Sequence, residues 1–256
     1  MKFPERLTGW MAFGRTRPAK GADDMRIYAV GDIHGRMDLL EILHRKILDD
    51  LADHPHVEPR LIYLGDYVDR GLESRKVLDT LINAPLPGFA IDHIKGNHEA
   101  ALLDFLKDSR ACAGWLAIGG QATLYSYGVP APQGVASSAA LAEIQRKFLE
   151  ALPLQHVAFM EKLKLSVSYG DFFFTHAGVR PNIPLEAQDE RDLLWIREEF
   201  LRSNQAFSKV VVHGHTVSSE PEFHVNRIGL DTGAFATGIL SCLVLDGGQM
   251  RLLQTP

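Results

Sequence analysis

Cysteine is almost absent from the 256 residues. Cys112 and Cys242 cannot build a disulfide framework, and without a C-x-x-C pair they offer no thiolate zinc knuckle. They read as small buried hydrophobes of a reducing compartment, which makes a cytoplasmic location the expectation. Long apolar runs are missing too: none approaches the ~20 residues of a membrane-spanning helix. Positive charge is not in excess. The chain has 27 Lys and Arg against 32 Asp and Glu, a net charge of -5, and no overall basic field predicts a nucleic-acid partner. The first 24 residues carry Lys2, Arg6, Arg15, Arg17 and Lys20 but no continuous apolar stretch. Gly9, Gly14, Pro18 and Gly21 interrupt them, which argues against a secretory signal. Residues 1–24 read as a loosely held arm; the alternative is a short helix docking through Phe3, Leu7, Trp10 and Met11. Internal repeats and low-complexity tracts are also lacking.

What is there is ordinary globular composition, 46% hydrophobic and 23% charged, in a length that can bury a sizeable core. From Met25 onward the pattern becomes regular. Ile27 to Val30, Leu61 to Leu64 and Phe89 to Ile94 are short apolar runs that read as buried strands. Between them, Leu40, Leu43, Ile47 and Leu51 recur at helical spacing, and a second helix fits Glu73 to Ile82. Strand, helix, strand, helix, strand predicts a parallel core with right-handed crossovers. The middle, about 100–163, is helix-rich and reads as a cap beside the sheet. The last third turns to short strands: Leu165 to Tyr169, Phe172 to Thr175, Lys209 to Val212, Val225 to Leu230, Ile239 to Leu245 and Met250 to Leu253. The expected fold is therefore α/β (α+β mixed): one domain, 25–256, of two packed mixed sheets flanked by helices.

The polar residues that carry chemistry lie in glycine-bearing loops just after these strands. In order they are Asp32, His34, Asp66, Asp69, Arg70, Asn97, His98, His176, His213 and His215. About one βαβ unit of ~30 residues separates Asp32 from Asp66 and Asp66 from Asn97, which puts all three on one edge of one sheet. A single Asp or Asn in a turn is unremarkable, because both favour turns for their own reasons; five such loops in succession are not. Mixed carboxylate, amide and imidazole donors suit manganese, iron or zinc better than calcium. More than four candidate ligands point to two ions, which can clamp both oxygens of an in-line displacement at phosphorus.

The segments GDIHG (31–35), GDYVDRG (65–71), GNHE (96–99), HAG (176–178) and HGHT (213–216) together resemble the metal-dependent phosphoprotein phosphatase family, in its bacterial serine/threonine form, within the calcineurin-like metallophosphoesterases. The motifs span most of the chain in the family's order. The resemblance implies that Asp32 and His34 hold a first metal, that Asp66 bridges both, and that Asn97, His176 and His215 complete the second. His215 is preferred over His213 because the family's ligand follows a glycine. His98 would be the general acid, Asp69 its partner, and Arg70 a phosphate clamp; Arg197, in a segment resembling the family's second arginine, would be another. Direct attack by a metal-bridging hydroxide, with no phosphoenzyme, completes the implied mechanism, with two divalent ions, manganese foremost, as cofactors. Trp115 to Gly128 and Asp231 to Gly233 also resemble bacterial members and are expected to be mainly structural.

The substrate expected from the resemblance is a phosphoprotein. The alternative, dinucleoside polyphosphate hydrolysis, belongs to relatives that usually lack the acid found here at Asp69. A non-catalytic metal-binding module predicts missing ligands or a missing acid, and none is missing.

Overall fold

A computed structural model describes residues 7–8, 19–21, 25–54, 58–132 and 137–256. Its strands are β1 (Leu7–Thr8), β2 (Met25–Val30), β3 (Glu58–Tyr63), β4 (Ala90–His93), β5 (Ser166–Tyr169), β6 (Phe172–Thr175), β7 (Val210–His213), β8 (Glu222–His224), β9 (Arg227–Gly229), β10 (Ser241–Asp246) and β11 (Gln249–Gln254). They form two sheets, ordered β1-β11-β10-β2-β3-β4 and β5-β6-β7-β9-β8. In the first, β2, β3 and β4 run parallel, with β10 antiparallel to β2 on the other side. In the second, β6, β7 and β9 run parallel between antiparallel edges β5 and β8.

Alternation along the strands explains the layering. Ile27, Ala29, Ile62, Leu64, Leu243 and Leu245 project from the first sheet onto Phe172, Phe174, Val210, Val212 and Ile228 of the second. The intervening residues Tyr28, Val30, Leu61, Tyr63 and Val244 face the other way. They meet Leu40, Leu43 and Ile47 of α1 (Met37–Ala52) and Val77, Leu78 and Leu81 of α2 (Ser74–Asn83). The middle of the chain adds α3 (Asn97–Lys107), α4 (Cys112–Ala117), α5 (Gly120–Ser126), α6 (Ser138–Ala151) and α7 (Leu154–Glu161). Phe105, Trp115 and Phe148 from these helices extend the same core, with the rings of Phe105 and Trp115 stacked at 4.9 Å. On the far face, Phe173 and Val211 pack against Leu193 of α8 (Glu190–Trp195) and Phe200 of α9 (Glu198–Leu201). A last short helix, α10 (Ala234–Thr237), precedes β10.

Several expectations shift. The strand expected over Val225 to Leu230 is a hairpin: β8 and β9 pair antiparallel across Val225 and Asn226. Asn226 holds that turn by donating from Nδ2 to the carbonyls of Ser203 and Gln205, a long-range tie that periodicity does not reveal. Strand β10 starts at Ser241 rather than Ile239. The helical face drawn through Phe3, Leu7, Trp10 and Met11 lies outside the described residues except at Leu7–Thr8. Those two form an edge strand against Gln249 and Met250 instead, satisfying the otherwise open side of β11. Both cysteines are free and buried. Among the described residues no helix is long and apolar enough to cross a membrane.

Candidate metal centre

Every candidate ligand sits just past a strand. Asp32 and His34 follow β2, Asp66 follows β3, Asn97 and His98 open α3 after β4, His176 follows β6, and His215 follows β7. The two parallel triplets, one per sheet, present these ends to a common edge. The backbone there is strained. Of the six described non-glycine residues with positive φ, five are His34, Asp66, Asp69, Arg70 and His215. L-residues seldom adopt that conformation, and its concentration here marks a site whose geometry outweighs local preference. Space requires glycine in these loops, at Gly96 and Gly214 among others: a Cβ at Gly96 would lie 2.1 Å from Asp66 Oδ1, and one at Gly214 would lie 2.0 Å from Asp32 Oδ1.

The side chains converge on Asp66, which is 1% exposed. His34 Nε2 and His98 Nε2 stand 3.4 and 3.7 Å from its Oδ2, and His176 Nε2 stands 3.4 Å from its Oδ1. Ligand atoms of His34, Asp66 and His98 form one set within 4.8 Å, and those of Asp66, His176 and His215 form another. Asn97 Oδ1 is 2.8 Å from both His176 Nε2 and His215 Nδ1. Asp32 is outside both sets, tied in by the His215 backbone N–H, which donates to its Oδ2 at 3.0 Å. His213 turns away, its Nδ1 3.0 Å from the carbonyl of Gly214 and its ring edge-on to Phe200. His44, His93 and His156 pack against tyrosine rings, and none is in either set.

The donor set fits divalent cations. His34 Nδ1 is 2.8 Å from the Val68 carbonyl and His176 Nδ1 is 2.9 Å from that of Leu64, so each nitrogen carries the proton. The Nε2 lone pairs are then aimed at carboxylate and amide oxygens, an arrangement that needs a cation between. The imidazoles do not supply it. Burial pushes His34 down to about 3 and His215 down to about 2, so both are neutral near pH 7. Meanwhile burial, then the charges of Asp231 and Asp66, pushes Asp32 well above the usual carboxylate range. Asp32 Oδ1, Asp231 Oδ2, His34 Nε2 and His215 Nε2 are all buried without a hydrogen-bond partner. Uncompensated buried carboxylates of this kind are costly unless metal is held among them.

Beside this cluster, His98 Nδ1 donates to Asp69 Oδ2 at 2.7 Å. Burial opposes charge on the His98 ring, but Asp66 and the hydrogen bond to Asp69 outweigh it and raise its pKa. Arg70 Nη2 is 3.3 Å from His98 Nε2, and the Arg70 guanidinium lies 4.6 Å from the centre of the Phe235 ring. Arg197, exposed, reaches the cluster from outside, with Nη2 3.3 Å from the His215 carbonyl. Trp195 is edge-on to the His215 ring at 6.3 Å.

The role of Glu99 is not legible from GNHE. It is fully buried, and its carboxylate accepts four backbone N–H groups: Asp66 and Gly96 on Oε2, Tyr67 and Val68 on Oε1. This clasp shapes the Asp66 loop. Glu99→Gln turns an amide N–H₂ against two of those donors. It is expected to lower stability by about 3 kcal/mol, read as a drop in thermal midpoint. An unchanged midpoint would contradict the clasp.

A family profile for calcineurin-like phosphoesterases matches residues 25–234. The chain belongs to that family. It is thus a metal-dependent phosphoester hydrolase, in a family built around two metal ions. Over 94 residues it is 40% identical to serine/threonine-protein phosphatase 2 of Escherichia coli, a match covering 37% of this chain and 38% of that one. The corresponding phosphatase of Salmonella typhimurium is 29% identical over 84% of this chain and 90% of its own. The asymmetrical bis(5'-nucleosyl)-tetraphosphatase PrpE of Bacillus cereus is 25% identical over 86% and 90%. Among solved structures, one described only as a candidate diadenosine tetraphosphatase shares the fold at a TM-score of 0.63, with 21% identity over 98% of this chain and 99% of that one.

Proposed function

We propose that this phosphoesterase is a serine/threonine protein phosphatase using manganese. Asp32, His34 and Asp66 would hold one ion, and Asp66, Asn97, His176 and His215 the other. Two ions bound there supply activated water and neutralise charge on the phosphoryl oxygens. The chain's own residues do the rest. Arg70 and Arg197 grip phosphoryl oxygens through planar guanidinium groups. Drawn onto phosphate, Arg70 leaves His98 Nε2 free to hold a proton for the leaving oxygen, while Nδ1–H stays on Asp69. Phe235, 36% exposed beside Arg70, steadies that arginine from the solvent side.

The observation that carries the substrate reading is the 2.7 Å contact between His98 and Asp69. A serine or threonine alkoxide leaves poorly without a proton, so a loaded acid is worth most on that substrate. A nucleoside phosphate departs as a stabilised anion and needs no such acid. A second reading, dinucleoside polyphosphate hydrolysis, draws on the tetraphosphatases that align over most of the chain. Rates on phosphoserine, phosphothreonine and phosphotyrosine peptides and on diadenosine tetraphosphate, measured side by side, separate the two. The expected order places phosphoserine and phosphothreonine peptides first; diadenosine tetraphosphate turning over fastest would establish the second reading.

A further inference from the structure

We infer that Trp115 and Thr123 are positioning residues for proton donation, acting through Asp69. On this view the helical segment of α4 and α5, which contributes no candidate metal ligand, governs reactivity toward poor leaving groups. The inference rests on the reading of His98 as the general acid.

Asp69 is fully buried in a left-handed turn with φ 72°. Its Oδ2 accepts from His98 Nδ1 at 2.7 Å and from Trp115 Nε1 at 2.9 Å. Its Oδ1 accepts from Thr123 Oγ1 at 2.6 Å. Thr123 Oγ1 in turn accepts the Asp69 backbone N–H at 2.9 Å, and because an ionised carboxylate only accepts, the hydroxyl proton lies on the contact to Oδ1. Ser74 Oγ stands 3.1 Å from the same N–H and 3.0 Å from Thr123 Oγ1. A carboxylate held by the histidine alone can rotate about its last bond and present either oxygen. With a separate donor on each oxygen it has one orientation, and the His98 ring has one direction to face.

The segment is shaped for this contact. Gly120 is where a Cβ would come within 2.5 Å of the Trp115 ring. Gly119, at φ 119°, brings its carbonyl to 3.2 Å from the Arg70 N–H, and a Cβ there would lie 2.8 Å from Arg70 Cγ. The glycine pair therefore lets α4 and α5 close on Asp69 and Arg70 together. A Trp N–H buried merely for packing needs some acceptor, but not the acceptor that orients the acid.

The test compares kcat on phenyl phosphate, a poor leaving group, with kcat on p-nitrophenyl phosphate, a good one, in the manganese-loaded full chain. Trp115→Phe keeps the ring and removes the donor; Thr123→Val keeps the shape and removes the hydroxyl; Thr123→Ser restores it. Trp115→Phe and Thr123→Val are expected to lose about tenfold or more on phenyl phosphate, much less on p-nitrophenyl phosphate, with Thr123→Ser near wild type. Added to His98→Asn, neither should cost anything further. The Thr123 pair decides the matter if Trp115→Phe folds poorly. Equal losses on both substrates, or full losses on top of His98→Asn, would overturn the positioning role. If His98→Asn itself loses equally on both substrates, the acid reading fails first and the positioning role with it.

Discussion

Asp66→Asn is expected to remove turnover and to leave the protein unable to hold both ions. The change keeps the side chain's shape and deletes only its charge. That charge stands at the meeting point of three imidazole Nε2 atoms, each within 3.7 Å of a carboxylate oxygen. Its Oδ1 also accepts the His98 backbone N–H at 3.1 Å, so the residue joins the carboxylate and imidazole cluster to the start of α3. An amide could turn its N–H₂ toward the imidazole lone pairs, which replaces a cation with a neutral hydrogen bond. Several kcal/mol of electrostatic stabilisation is lost, about three powers of ten in kcat or more. Metal content by mass spectrometry and turnover of p-nitrophenyl phosphate report the two effects. An Asp66→Asn protein retaining two ions per chain would refute the bridge.

The second large effect is at His98. His98→Asn retains an N–H that can reach toward Asp69 but has no proton to give a leaving group. The expected loss in kcat is about 10²- to 10⁴-fold on alkyl phosphates such as phosphoserine peptides, and smaller on p-nitrophenyl phosphate. The asymmetry between substrates matters more than the size. A uniform loss would mean that His98 serves the metal cluster, which its Nε2, 3.7 Å from Asp66 Oδ2, is near enough to do. The tie to Asp69 favours the acid role: it engages Nδ1 and points Nε2 toward Arg70.

Much of this is legible in the amino-acid sequence alone. Buried parallel strands read as uninterrupted apolar runs because both of their faces are covered. The loops after them were conspicuous because glycine, aspartate and histidine cluster there for steric and chemical reasons that act locally. What stayed hidden depends on contacts between distant residues. Asn226 belongs to a hairpin because Ser203 and Gln205 accept from it, and no pattern within Val225 to Leu230 encodes that. Glu99 is one letter of a motif in the sequence; in the fold four backbone N–H groups converge on it. Asp231 to Gly233 reads as mainly structural in the sequence; in the fold Asp231 stands close enough to Asp32 for its charge, after burial, to raise that carboxyl's pKa. The segment Trp115 to Gly128 is expected to be mainly structural, and within it Trp115 and Thr123 bind Asp69 across 46 and 54 residues of chain. Arg197 lies outside the loops at the start of α9, and its guanidinium meets the cluster through the His215 carbonyl, a contact between distant residues that its own segment does not encode.

The central expectation is that two divalent ions held in this cluster drive phosphoester hydrolysis. Its most direct test is to strip the protein with chelator and titrate manganese back, following metal stoichiometry and p-nitrophenyl phosphate turnover in the same sample. The prediction is an inactive stripped protein whose activity returns as the second equivalent binds. Full turnover in the stripped protein, or none with two manganese ions bound, would contradict it.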